Sequence, residues 1–148
     1  MEIILHCSAS SFGNAVLIDS WHRQRGWTGI GYHAVILNGQ ITARCFNKFF
    51  DGTIETGRPF DDDNLIDAWE TGAHTLGKNK CLGICLIGES GKFTQNQYAA
   101  LYQFLTRMQI LFKKIDKISQ HSDHDAKKPY CAGIGKEYMN VLNEIFCK

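Results

Sequence analysis

The sequence contains few features that would point to a membrane or to nucleic acid. It has only two prolines among 148 residues and no apolar run near the roughly 20 residues that a membrane-spanning helix needs. Its net charge is only +1, from 16 basic and 15 acidic residues, and no long basic block stands out. Because nucleic-acid-binding proteins concentrate positive charge on a surface, we expect neither a nucleic-acid nor a membrane partner.

A secretory signal is also missing from the first residues, which are Met-Glu-Ile-Ile-Leu-His. They include no basic stretch, no long apolar region and no small-residue cleavage site. We therefore expect synthesis in the cytoplasm, where the six cysteines would be reduced and mostly buried as small apolar side chains. The length predicts one domain spanning residues 1–148, and we expect a monomer.

Apolar periodicity predicts strands and helices that alternate along the chain. Short apolar runs, with an Asn38-Gly39 hairpin turn, predict strands at residues 1–5, 31–37, 40–45, 82–87 and 117–120, and a further hairpin arm at 51–58. Helical spacing predicts three helices. The first spans residues 15–25, the second runs from a Thr94–Gln97 capping box to about Lys114, and the third spans residues 136–146. The prediction is an α/β fold, a single domain with a mixed central β-sheet flanked by helices.

Candidate metal ligands occur near the two ends of the chain. His6 follows the first predicted strand, and His121 follows the last one, ten positions before Cys131. Two imidazoles and a thiolate leave the fourth position of a tetrahedral zinc open, as in catalytic zinc sites. A lone histidine after a strand is more often a core or capping residue, so the argument depends on the set. The set points to a hydrolytic site with one Zn²⁺ per chain.

Cys81 and Cys85 also have the look of a metal pair. On a strand their side chains would point to the same face, but no second pair lies near them in the sequence. We therefore interpret them as core residues.

The order of the motifs is more specific than any single motif. It comprises His6, Gly31-Tyr32-His33, Gly72-Ala73-His74 and the segment from His121 to Cys131. Over nearly its whole length, the chain resembles the zinc-dependent N-acetylmuramoyl-L-alanine amidases of the phage-lysozyme type, which are related to the peptidoglycan recognition proteins. The resemblance implies their fold and hydrolysis of the amide between N-acetylmuramic acid and L-alanine in peptidoglycan, by a phage or prophage endolysin or by a cytosolic enzyme that recycles wall fragments.

The resemblance also implies roles for individual residues. Zinc would be held by the residues matching His6, His121 and Cys131. Tyr32 would lie beside the open metal position, where a hydroxyl can orient water or share its proton. His74 would line the substrate cleft.

Three departures from the family pattern bear on the site, the first being that Cys131 is followed by Ala132-Gly133, whereas the cysteine of relatives is often followed by Pro-Gly. Relatives commonly have a catalytic lysine two positions before the ligand cysteine, but this chain has Pro129 there, so Lys128 or Lys127 must supply the charge. We assign Lys128, whose ammonium could stabilise an oxyanion. Cys85 stands where some relatives have a glutamate base, so we expect metal-activated water and Tyr32 to suffice. The segment from 40 to 50 is longer than the usual hairpin and predicts an extra arm beside the cleft.

Two other functions stay open at this point. A recognition module would bind muropeptides without cleaving them, and it would usually lack the ligand Cys131, which is present here. A regulator would bind another protein, but no segment identifies such a surface. We predict structural roles for the remaining histidines. His22 should pack on its helix, His33 should face away from Tyr32, and His124 should lie in a loop.

Overall fold

The computed structural model describes residues 1–61, 63, 65–112 and 114–147. Five strands form one sheet in the order β3-β2-β4-β1-β5. They are β1 (Glu2–Cys7), β2 (Ala34–Thr42), β3 (Cys45–Thr56), β4 (Leu82–Leu86) and β5 (Lys117–Gln120). Among the strands of the described residues, only the β2–β3 pair is antiparallel, since β4 pairs parallel with β1 and β2, and β1 pairs parallel with β5. The predicted α/β class with a mixed sheet is confirmed.

In the described part of the chain, three α-helices cover the two faces of the sheet: α1 (Ala15–Gln24), α2 (Gln95–Leu111) and α3 (Lys136–Phe146). Strand residues alternate between the faces. Residues such as Leu5 and Ile84 belong to the larger core with α2 and α3, whereas Val35 and Cys85 pack with Ile18 of α1. His6 follows Leu5 and therefore points to the α1 side.

The predicted capping box at the start of α2 is confirmed. The Thr94 hydroxyl accepts the backbone N–H of Gln97, and the Gln97 side chain accepts the N–H of Thr94. The Gln97 amide also donates to the carbonyls of Ile36 and Ile87 at 2.9 and 2.8 Å, which ties α2 to β2 and to the residue that follows β4. The helix ends at Leu111, three residues before the predicted end, and Lys113 lies outside the described residues.

The predicted hairpin turn at Asn38-Gly39 is wrong. Strand β2 continues through both residues to Thr42, and the turn lies at residues 43–44. Gly39 has a φ of 80°, which suits a tight turn but also suits a β-bulge, and the β2–β3 register shifts on both sides of Asn38. The predicted strand at 40–45 and the separate arm at 51–58 are therefore parts of one long hairpin, with β3 as its returning strand.

The first strand is longer than predicted, because it includes His6 and Cys7. The predicted bounds of β5 and α3 are confirmed, and α1 ends one residue early at Gln24. Among the described residues, no helix has both the length and the apolar character that crossing a membrane requires.

Candidate active site

The three predicted ligands come together at one end of the sheet. His6 lies near the end of β1, His121 opens a single 3-10 turn directly after β5, and Cys131 lies in the loop before α3. Because β1 and β5 run parallel, with Leu5 opposite Gln120, they deliver the two histidines to the same place. The imidazole centroids are 4.7 Å apart, and the ligand atoms of all three residues lie within 4.8 Å of one another.

The donor set fits a tetrahedral zinc ion. The Nδ1 atom of His6 lies 3.9 Å from the sulfur of Cys131. Zinc–ligand distances of about 2.05 Å to nitrogen and 2.3 Å to sulfur imply a tetrahedral N···S separation of about 3.6 Å. The backbone N–H of Cys7 points at the same sulfur from 3.3 Å, which favours negative charge there.

The ionisation of the ligands also suits a metal. Burial lowers the pKa of His6 well below its ordinary value, and burial likewise lowers the pKa of His121. Both imidazoles are therefore neutral at pH 7, which is the form that binds metal. The hydrogen-bonded Cys7 thiol, together with burial, raises the pKa of Cys131, so metal binding must displace a proton from that sulfur.

Tyr32 lies directly beside this ligand group. Its ring centroid is 5.0 Å from that of His6, and the ring packs with the α1-side core. Burial raises the pKa of Tyr32 well above 10, and the neighbouring thiols of Cys85 and Cys131 raise it further. The hydroxyl therefore keeps its proton at neutral pH and can donate a hydrogen bond in the site.

His33 has the opposite environment, as the sequence predicts. It is fully buried, with Nε2 donating to the carbonyl of Glu70 at 2.8 Å and Nδ1 accepting the N–H of Gly83 at 2.9 Å. Its ring packs edge-on against Phe60, which contacts the larger core. Because both of its ring nitrogens are hydrogen-bonded to the backbone, His33 has a structural role.

The two candidate lysines lie on an exposed loop beside the ligand cysteine. Lys127 and Lys128 help to line a cavity of about 270 Å³ that also contacts Cys7 and Cys131. A hydrogen bond from Cys131 lowers the pKa of Cys7 to about 7, and the positive charge of Lys128 contributes to this. Lys128 is therefore close enough to act electrostatically on the site.

His74 lies behind His6 and has little exposed surface. It is 7% exposed, and its Nδ1 lies 3.0 Å from the Nε2 of His6. Its own Nε2 donates to the carbonyl of Cys81, also at 3.0 Å. Contact between His74 and substrate stays a prediction, whereas the contact with His6 was not foreseen from the sequence.

His22 has a second role that the packing prediction missed. Its Nδ1 accepts the backbone N–H of Gly31 at 2.9 Å, and its ring lies 5.5 Å from that of Tyr32 and 4.4 Å from that of Trp27. His22 thus supports the segment that carries Tyr32. The sequence signal was available, because a histidine on the apolar face of a helix needs a polar partner.

A polar network continues along the same face of the sheet below His6. Glu2 pairs with Lys78 at 2.8 Å, accepts the hydroxyl of Ser119 at 3.1 Å, and lies 3.3 Å from His124. His124 is in a loop as predicted, but its ring also contacts Ser119 at 2.8 Å. An acidic residue in an apolar strand was the signal for this network, since a half-buried carboxylate requires partners.

Comparison with known proteins identifies the family. No family model matches the chain. The endolysin of Enterobacteria phage T3 is 31% identical over 151 residues, which covers 97% of this chain and 87% of that protein. The solved structure of the N-acetylmuramoyl-L-alanine amidase LysC from Clostridium intestinale superimposes with a TM-score of 0.74 at 25% identity, over 99% of this chain and 85% of that one.

A peptidoglycan recognition protein shares the fold as well. Bumblebee PGRP-SA superimposes with a TM-score of 0.70 at 24% identity, over 95% of this chain and 81% of that one. The predicted resemblance is confirmed by the endolysin sequence and by both folds. The chain therefore belongs to the phage endolysin family, and its enzyme class is that of the N-acetylmuramoyl-L-alanine amidases.

Proposed function

We propose that this endolysin hydrolyses the amide bond between the lactyl group of N-acetylmuramic acid and the L-alanine of the stem peptide, with one Zn²⁺ bound by His6, His121 and Cys131. The observation that carries the proposal is the convergence of these three ligand atoms within 4.8 Å. They come from separate parts of the chain, and their number leaves a tetrahedral ion one open position. The enzyme would act on the cell wall after its synthesis in the cytoplasm.

The bound metal would acidify a water molecule and polarise the scissile carbonyl. The protein contributes the groups around it. Tyr32 keeps its proton because burial raises its pKa, so its hydroxyl can orient the attacking water or donate to the oxygen on which charge develops. Lys128 lines a cavity that also contacts the ligand Cys131, and its ammonium would stabilise the tetrahedral oxyanion of the substrate.

Product analysis on purified peptidoglycan tests the reaction. We expect new free α-amino groups on L-alanine and no new reducing sugar ends. Activity should disappear with a chelator and return when zinc is added. Reducing ends would make the protein a glycosidase, which needs a suitably spaced pair of carboxylates. Binding to peptidoglycan without products and without sensitivity to chelator would favour a recognition module.

Variants of the ligands test the metal site. Replacing His6 or His121 by alanine, or Cys131 by serine, should lower zinc content and turnover together, because each change removes one of three ligands. Zinc content is measured by elemental analysis of the purified variants. Cys45→Ser is the matched control, since Cys45 is an exposed free thiol on the hairpin. Full zinc and full turnover in Cys131→Ser would refute the ligand assignment.

A further inference from the structure

We propose that His74 is a positioning residue that fixes the tautomer of His6 and thereby directs the Nδ1 lone pair of His6 to the metal. The inference rests on the proposed metal site but assigns a role that the family resemblance does not. A chain of hydrogen bonds runs from a backbone carbonyl through two imidazoles to the ligand group, and each bond determines where the next proton lies.

The first bond determines which ring nitrogen of His74 carries the proton. Its Nε2 lies 3.0 Å from the carbonyl oxygen of Cys81. A carbonyl can only accept a hydrogen bond, so this nitrogen must carry the proton. His74 is 7% exposed and, among the described residues, its ring nitrogens contact only imidazole, hydroxyl and carbonyl groups. Without a carboxylate to pair with a buried charge, the imidazole is neutral and has one proton, so its Nδ1 presents a lone pair.

The second bond determines which ring nitrogen of His6 carries the proton. The Nδ1 lone pair of His74 faces the Nε2 of His6 at 3.0 Å, and two lone pairs at that distance would repel. The Nε2 of His6 must therefore be the donor, which leaves its Nδ1 without a proton and facing the sulfur of Cys131 at 3.9 Å. Thr75 is compatible with this arrangement, since its hydroxyl oxygen lies 3.0 Å from the His74 Nδ1 and 3.4 Å from the His6 Nε2.

The surroundings hold the His74 ring in this orientation. A Cβ atom on Gly72 or Gly83 would lie only 2.5 or 2.6 Å from its Cδ2 atom, so the ring occupies a slot that only glycine leaves open. The backbone N–H groups of His74 and Thr75 both donate to the side-chain oxygen of Asn79, at 2.9 and 3.0 Å. The backbone thus sets the tautomer of a ligand that lies one ring away.

Nitrogen NMR of the histidine rings tests the proton positions directly. In metal-free wild-type protein at pH 7.5, labelled with ¹⁵N, we expect both His6 and His74 to carry the proton on Nε2. The experiment needs no variant and no activity. A proton on Nδ1 of either residue would overturn the proposal.

Measurements of zinc affinity test whether His74 strengthens the binding of zinc by His6. His74→Leu removes both bonds of the relay and should weaken zinc binding by about 10- to 100-fold, the usual effect of losing the partner of a ligand histidine. His74→Gln should restore much of that affinity, because an amide can accept from His6 and donate to Cys81. Affinity is measured by competition with a chelator of known zinc affinity, on variants whose circular dichroism matches the wild type.

His33→Gln is the matched control, because His33 is another buried histidine bonded to backbone but has no bond to His6. It should bind zinc like the wild type. The role would be refuted by a folded His74→Leu variant with unchanged zinc affinity, or by a His74→Gln variant that binds zinc as weakly as His74→Leu. Should His74→Leu fail to fold, the NMR measurement on the wild-type protein tests the proposal. A correct tautomer and relay-dependent zinc binding without peptidoglycan cleavage would instead refute the proposed function alone.

Discussion

At the scale of single residues, Tyr32 and His33 are neighbours with opposite environments. Tyr32 faces His6 across 5.0 Å between ring centroids, whereas His33 is bonded to backbone on the side of the larger core. Both residues come directly before β2, and their side chains have different partners although they are adjacent in the sequence. One residue of register therefore decides which side chain reaches the site.

Tyr32→Phe should lower turnover by about 100-fold or more if the hydroxyl takes part in proton transfer. The fold and the zinc content should be unchanged, because only one oxygen atom is removed. The measurement is kcat on purified muropeptide, together with zinc content. His33→Gln should have the smaller effect on kcat, and the reverse order would contradict the assigned orientations.

Lys128→Ala should slow hydrolysis more than Lys127→Ala. Lys128 acts on Cys7 and His121 through its charge, and it lies closer in sequence to the ligand cysteine. Initial rates at fixed substrate concentration, with zinc saturating, compare the two variants. Equal and small losses would show that neither ammonium reaches the oxyanion.

At the scale of elements, the β2–β3 hairpin depends on glycines in the left-handed region. Between the pairs Ile36–Ile54 and Asn38–Asp51, β3 has two residues opposite one in β2, and Gly52 lies in this bulge with a φ of 84°. A Cβ atom on Gly52 would lie 2.8 Å from the backbone oxygen of Asn96, so the bulge also lets β3 approach the start of α2.

Gly52→Ala should reduce the free energy of unfolding by about 2–4 kcal/mol, from the left-handed backbone and from the overlap with α2. Gly26→Ala is the matched control, because Gly26 has the same φ of 84° but nothing within 4 Å of its missing Cβ. It should cost only about 1–2 kcal/mol. Urea denaturation of both variants measures the difference, and equal losses would show that the contact with α2 does not matter.

At the scale of the whole molecule, buried histidines should make the fold sensitive to acid. Burial lowers the pKa of His33 to about 4, against an ordinary value of 6.5. Because the folded pKa lies below the unfolded one, the stabilisation is complete above pH 6.5 and is lost as the pH falls towards 4. Burial lowers the pKa of His22 to about 4 as well, so both residues act in the same direction.

The free energy of unfolding should therefore fall between pH 6.5 and 4, with His33 contributing up to about 3 kcal/mol at 1.36 kcal/mol per pKa unit. His33→Gln should make this dependence less steep, because glutamine does not titrate. Urea denaturation at pH 7 and pH 5, with a chelator in both samples, gives the two values for each protein. An identical pH dependence in the variant would contradict the buried neutral state of His33.

The sequence by itself determined the features that depend on residues a few positions apart. The bounds of β5 and α3 and the Thr94–Gln97 box follow from local periodicity and local hydrogen bonds. The ligand triad could be proposed because the family resemblance linked distant motifs that are individually weak. The α/β class followed from the order of the elements.

Only the tertiary structure decided the features that depend on distant partners. Gly39 has a backbone suited to a turn, but β2 continues through it to Thr42 because Asn38 and Gln40 on either side pair with β3. His74 stands 68 positions from His6 in the sequence, so no local pattern could place one imidazole 3.0 Å from the other. Parallel strands and glycine slots bring such residues together, because side-chain contacts across a sheet are set by strand order and register rather than by neighbours along the chain.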